Sequence, residues 1–226
     1  MSITERYVSI SRKIATAAAV SGRKSEEIEF LAVSKTQPIE QIQALYQIGH
    51  RDFAENYVQE LELKAKQAQE LGMKDIRWHM IGHLQTNKIN RVLPVVHAIQ
   101  TLDRAKLIEG VGQKLTRPLR AWIEVNIDSE SDKSGAQLSE VPALLELSKK
   151  FKNLDVIGLM AIPNPQNQDQ DQLNSLARLK TQARSCGLTQ ISWGMSQDFE
   201  SAIHNGSTCV RIGTSLFGER KSGGNA

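Results

Sequence analysis

The residue with the most reactive potential in this sequence is Lys35, which closes the run Ile28-Glu29-Phe30-Leu31-Ala32-Val33-Ser34. A short apolar run bounded by polar residues reads as a buried strand. Pro38, three residues after the lysine, then opens the helical pattern of Ile39, Ile42, Leu45 and Ile48, as a first-turn proline can. An amine at a strand end, shielded by apolar neighbours, loses its proton more readily and attacks an aldehyde. The plain alternative is a solvated rim lysine, since charged residues at strand ends are mostly exposed. Two later stretches carry the complementary signal. Gly194-Met195-Ser196 and Arg211-Ile212-Gly213-Thr214 place glycines, hydroxyls and backbone N–H groups after the seventh and eighth strand-like runs. That is where a phosphate is commonly bound in a parallel barrel, and a helix N-terminus there favours an anion. Read plainly, Gly213 only makes a turn and Ser196 only caps a helix. A lysine facing a phosphate pocket implies a phosphorylated aldehyde, and pyridoxal 5′-phosphate (PLP) fits that description.

These groups act together only if the fold brings strand ends to one rim. Strand-like runs at 28–33, 51–56, 76–82, 95–102, 121–127, 155–162, 191–195 and 209–213 alternate with helical patterns. That alternation predicts a parallel sheet, and eight units predict an α/β fold closed as a single (β/α)₈ TIM barrel. An open doubly wound sheet is the alternative, but no Gly-x-Gly-x-x-Gly follows any run. In a barrel, Lys35, Asn56, His83, Asn126, Met160, Ser196 and Gly213-Thr214 all lie at the carboxyl-end mouth. One domain is expected over residues 1–220, with an N-terminal helix and a disordered tail at 221–226.

Composition narrows the function classes. A net charge of +3, with no basic cluster interleaved with aromatics, argues against nucleic acid. Cys186 and Cys209 form neither a disulfide framework nor a metal cage and read as buried small residues in a reducing compartment. No apolar run is long enough to span a bilayer. Residues 6–24 carry basic residues and serines without acids, which faintly resembles a transit peptide. Against that, Ser2 and Glu5 form a capping box, and Ile3, Tyr7, Ile10 and Ile14 make one apolar stripe. A helix packed on the barrel's bottom, in a cytoplasmic protein, is expected.

Other candidates are weaker. His79 and His83 have helical metal spacing but flank a strand end, so His79 is expected in the core and no metal is expected. Glu55 and Glu124 are strand carboxylates that nothing marks as an acid/base pair. His50 and His204 sit near helix ends, in structural roles.

Taken together, these residues resemble the YggS/PLPBP (PROSC) family of PLP-homeostasis proteins, with most likeness to its PipY branch. The resemblance is carried by Ala32-Val33-Ser34-Lys35-Thr36, Glu55-Asn56-Tyr57-Val58-Gln59-Glu60 and the stretch from Trp78 to Lys88. It continues through Asn126, Glu130, Lys133 and Gly135, then Gly158-Leu159-Met160, Gly194-Met195-Ser196-Gln197-Asp198-Phe199 and Arg211 to Gly218. It implies a barrel similar to the N-terminal domain of alanine racemase, with PLP held as an imine on Lys35. Ser196, Arg211, Gly213 and Thr214 would serve the phosphate, although Arg211 could lie nearer the pyridine nitrogen. Asn56, His83 and Met160 would line the ring, and Lys133 is a secondary lysine on the same mouth. The implied role is a monomeric PLP carrier or regulator without appreciable catalysis, with PLP-dependent apoenzymes as clients. A PLP-dependent amino-acid racemase is the alternative, and a phosphate-binding barrel enzyme without PLP is a third class. In the racemases, the second acid/base group is a tyrosine of a C-terminal β domain, and this chain ends at Ala226, just after the eighth unit.

Overall fold

Strands β1 (Glu29–Val33), β2 (Asp52–Glu55), β3 (Arg77–Met80), β4 (Val96–Leu102), β5 (Leu119–Val125), β6 (Leu154–Ala161), β7 (Gln190–Ser192) and β8 (Cys209–Ile212) pair in chain order. β1 then pairs in parallel with β8, so the sheet closes as a barrel with no free edge. The computed structural model describes residues 1–130, 133–164 and 166–218. The expected (β/α)₈ barrel is the fold, and the tail expected from residue 221 lies outside the described residues.

The strands are largely buried on both faces, as in a parallel barrel wrapped by helices. Ala32, Phe53, Ile99, Ile123, Leu159 and Val210 face outward into the core under the helices. Their neighbours Leu31, Val33, Ala54, Ala98, Trp122, Met160 and Cys209 form two smaller clusters on the other face, inside the barrel. This period of two is the ordinary strand alternation. The interior also holds a polar column. Gln100 Nε2 donates to Cys209 Sγ (3.6 Å), Ser192 Oγ donates to Gln100 Oε1 (2.6 Å), and Arg211 Nη1 donates to Ser192 Oγ (2.6 Å).

The outer layer is α1 (Ile3–Val20), α2 (Ile39–Gln47), α3 (Val58–Glu70), α4 (Ile89–Val92), α5 (Ala105–Gly112), α6 (Val141–Ser148), α7 (Asp169–Ser185), α8 (Phe199–His204) and α9 (Thr214–Phe217). The Ser2–Glu5 capping box starts α1 as expected, with both reciprocal bonds made. The helix itself is not a bottom cap. It runs along the barrel's flank against α2, α8 and α9, beside the short six-residue α8. Arg6 at one end of α1 bonds Leu216 O (2.5 Å), while Arg23 just past its other end bonds Ser207 O (2.7 Å). Pro38 also differs from expectation. It is the extended N-cap (φ −72°, ψ 159°), and Ile39 is the first helical residue. Cys209 is buried as expected, but Cys186 is only half-buried.

Closure is uneven. β7 and β8 share a single paired position, Ser192 with Cys209. Side chains reinforce this seam: Ser207 Oγ lies 2.7 Å from Trp193 O and 3.0 Å from Cys209 O. At the amino-terminal end of the barrel, buried His79 sets Nε2 3.6 Å from Asp52 Oδ1 and 3.7 Å from Glu29 Oε1. These three residues could bracket a cation, but both carboxylates are already matched by guanidinium groups, Asp52 by Arg77 and Glu29 by Arg120. His79 thus lies in the interior, in a polar layer rather than an apolar one.

Candidate cofactor-binding site

Lys35 sits in the turn between β1 and α2, at the carboxyl-terminal mouth. The turn is unusual: Thr36, immediately after the lysine, has φ +62°, a left-handed conformation that β-branched residues rarely take. It is held from outside. Thr36 N–H donates to Glu60 Oε2 (2.7 Å), and Ser34 Oγ donates to Glu55 Oε1 (2.6 Å). Lys64, on α3, reaches Ser34 O at 2.7 Å and both glutamates at 2.8 Å. Burial raises the Glu55 pKa, with Lys64 and the Ser34 hydroxyl pulling it back. Glu60 is also disfavoured by burial, but Lys64 and the Thr36 N–H hold it below its usual range.

The rest of the rim assembles around this turn. Asn56 follows β2, and its Oδ1 is buried without a hydrogen-bond partner, so it is available to a ligand. Gly82, after β3, lets the backbone pass so close that a Cβ there would lie 2.0 Å from Asn56 O. His83 is exposed, with Nδ1 3.7 Å from Asp103. Asn126 turns away from any ring: its side chain bonds Glu130 O (2.7 Å) and Glu130 N (3.1 Å), organising the loop after β5. Lys133 in that loop is ion-paired to Glu130 at 2.6 Å. Met160 is fully buried, packed with Ala98 and Trp122 in the barrel interior as a floor to the mouth.

The last two units meet directly. Ser196 Oγ accepts from Gly213 N (3.3 Å) and Ser215 N (3.2 Å), and Ser215 Oγ donates to Ser196 O (3.1 Å). Two backbone N–H groups thus converge on the Ser196 hydroxyl, beside the exposed Thr214, and this cluster of donors is of a kind suited to an oxyanion. Arg211 does not join this cluster through its hydrogen bonds. Its guanidinium is buried and bonds Ser192 Oγ and Ala161 O (3.0 Å), placing a cation among the interior residues. Glu124, at the end of β5, faces a cavity of about 300 Å³ shared with Asn126, Lys133, Ser134 and Ile162. Its Oε1 accepts from Ser134 Oγ (3.1 Å) and its Oε2 has no partner.

A mouth with an anchored lysine turn, an orphan amide oxygen, a buried cation below and an anion-type turn beside it, on the neighbouring strand β8, fits PLP. Lys35, Asn56, Ser196 and Gly213 are expected at this mouth from sequence, whereas Lys64, Ser192 and Gln100 are not singled out there, and Glu60 and Ser215 stand only within longer motifs. Lys64 was detectable: it falls in phase with Leu61 and Ala68 on the buried face of α3.

Comparison with known proteins places the chain in a family. Residues 9–221 match the family model "Alanine racemase, N-terminal domain". The pyridoxal phosphate homeostasis protein of Escherichia coli (strain K12) is 40% identical over 228 residues, covering 96% of this chain and 97% of that protein. That of Pseudomonas aeruginosa is 38% identical over 226 residues, covering 98% and 97%. Among solved structures, PipY of Synechococcus elongatus PCC7942 with PLP bound superposes with a TM-score of 0.83 at 27% identity, over 96% of this chain and all of that one. The chain therefore belongs to the pyridoxal phosphate homeostasis proteins, a family built on the alanine racemase N-terminal barrel.

Proposed function

We propose that the chain holds PLP in the barrel mouth, attached to Lys35. It then serves as a carrier and regulator of the cofactor in vitamin B6 and amino-acid balance, without appreciable turnover. The observation that carries this reading is the pairing, on one rim, of the anchored Lys35 turn with the Ser196–Gly213–Ser215 anion turn. PLP, when bound, supplies an aldehyde for the lysine amine and an electron-withdrawing ring. The chain supplies the rest. Ser196, Thr214 and the Gly213 N–H hold the phosphate end. Arg211, bonded to Ser192 and Ala161, is better placed for the pyridine-nitrogen end than for the phosphate. Asn56 and His83 border the ring, and Met160 floors it.

Racemisation would need a second acid/base group opposite Lys35. Among the described residues, the tyrosines are engaged elsewhere or exposed. Tyr7 stacks on Phe30, Tyr46 bonds Asp75, and Tyr57 is exposed. PLP-dependent apoenzymes are the natural recipients of a carried cofactor, and the reading has a monomer acting in the cytoplasm. No described helix is long and apolar enough to cross a membrane.

The purified protein should be yellow, borohydride should fix PLP on the Lys35 peptide, and Lys35→Ala should abolish the colour. An adduct solely on Lys133, or none, would refute the assignment. Cα–deuterium exchange of alanine or serine at enzyme-like rates, lost in Lys35→Ala, would establish the racemase instead.

A further inference from the structure

A lysine ammonium is seldom buried unless each of its protons is matched. Lys64 is 5% exposed, and its Nζ donates to Ser34 O, Glu55 Oε1 and Glu60 Oε2. Every one of these acceptors belongs to the frame around Lys35. Ser34 precedes the lysine and also gives its hydroxyl to Glu55. Glu60 receives the N–H of Thr36, the residue that follows. Both chain neighbours of Lys35 are therefore tied, through one ammonium, to a helix of the next barrel unit. The left-handed Thr36 explains why such restraint is needed, since a threonine left to itself returns to extended or helical backbone.

We infer that Lys64 is the positioning residue for Lys35. It holds the Ser34-Lys35-Thr36 turn in the conformation that aims the Lys35 amine into the mouth, and so sets that amine's reactivity toward an aldehyde. This deepens the reading above and rests on Lys35 as the attachment point. A lysine buried for stability alone has no reason to place two of its three bonds on groups that clasp the reactive residue from either side.

The test reads the amine without PLP. The dialysed full-length chain is treated with formaldehyde and cyanoborohydride, and each lysine is followed by peptide mass spectrometry. The amine adds to the aldehyde carbon, water leaves, and cyanoborohydride delivers hydride to that carbon, giving N-methyl-lysine. Lys66, on the exposed side of the same helix, is the internal reference. Lys64→Met should slow labelling of Lys35 relative to Lys66 about tenfold, the loss of one charge-assisted restraint. Borohydride-trapped PLP on Lys35 should fall in parallel. Adding Thr36→Gly should recover much of the loss, because glycine takes the left-handed conformation without restraint. Glu60→Gln, at a partly exposed side chain, weakens the Thr36 tether while sparing the core, and serves if Lys64→Met fails to fold. A lower melting temperature with unchanged Lys35 labelling and trapping, in either variant, would make Lys64 a stability element and overturn the inference. PLP trapped on another lysine, with the labelling differences intact, would refute the attachment reading while upholding the positioning of Lys35.

Discussion

Glu124 offers a quantitative test of the mouth's electrostatics. Its carboxylate is buried at the end of β5, bonded on one oxygen by Ser134 and unpartnered on the other. Burial pushes its pKa up to about 7 from an ordinary 4.5; Asp103 adds to the rise, while the Ser134 hydroxyl, Arg211 and Arg104 oppose it. The folded state therefore holds this proton more tightly than the unfolded chain. The stability it contributes is complete below pH 4.5 and is lost as pH rises through about 7. At about 1.4 kcal/mol per pH unit, that interval amounts to ~3 kcal/mol, a large share of a typical domain's stability. Glu124→Gln keeps the shape and an acceptor for Ser134 but cannot ionise. Urea unfolding of both proteins across this range should show the variant gaining on the wild type as pH rises, by up to ~3 kcal/mol on the alkaline side. Other titrating groups, common to both proteins, cancel in the difference. A difference that stays flat with pH would show that Glu124 ionises normally and that the cavity beside it is wet.

Four further outcomes are expected. His50 is packed among Tyr7, Phe30 and Phe53, and burial lowers its pKa to about 4. Its contribution is present above pH 6.5 and lost toward pH 4, so His50→Asn should flatten the acid limb of the stability profile measured by urea unfolding. Gly82→Ala drives a Cβ against the Asn56 backbone and should cost about 1–3 kcal/mol. It should also weaken PLP binding, checked by melting temperature and absorbance titration. Ser196→Ala removes the acceptor shared by Gly213 and Ser215 and should loosen PLP about tenfold. Pyridoxal without the phosphate should bind poorly to the wild type, and equal affinity for both would place the anion turn outside the site.

The barrel was legible because each strand is a short apolar run and each connection carries a helical period; strand ends such as Val33 and Ile212 fell close to their expected positions. The residues that sequence singles out for the mouth are those marked by a local sign, a lysine after an apolar run or a glycine beside a hydroxyl. What sequence leaves open depends on direction across the barrel. Arg211 and Gly213 are two residues apart, yet one bonds into the interior and the other toward the rim. Met160 is expected beside the ring, and strand alternation turns it into the interior packing that floors the mouth. Lys64 escaped because a lysine on a helix usually faces water, and only its phase among Leu61 and Ala68 marks it as buried. Asn126 shows the converse: a strand-end amide at the right rim spends its hydrogen bonds on its own loop.

The narrow seam between β7 and β8 has a mechanical consequence. These strands share one paired position, and the segments that follow them carry Ser196 on one side and, on the other, Gly213 and Ser215 at the start of α9. In the proposed binding mode, an anion lodged between those segments would act as a rivet across this narrow part of the wall. Loading would then tighten the barrel where it closes, and emptying would leave that wall freer to breathe. Amide hydrogen exchange at Trp193 and Arg211, whose N–H groups bond across this seam to Cys209 O and Gly194 O, reports the tension: slow in the loaded protein and faster once the cargo has gone.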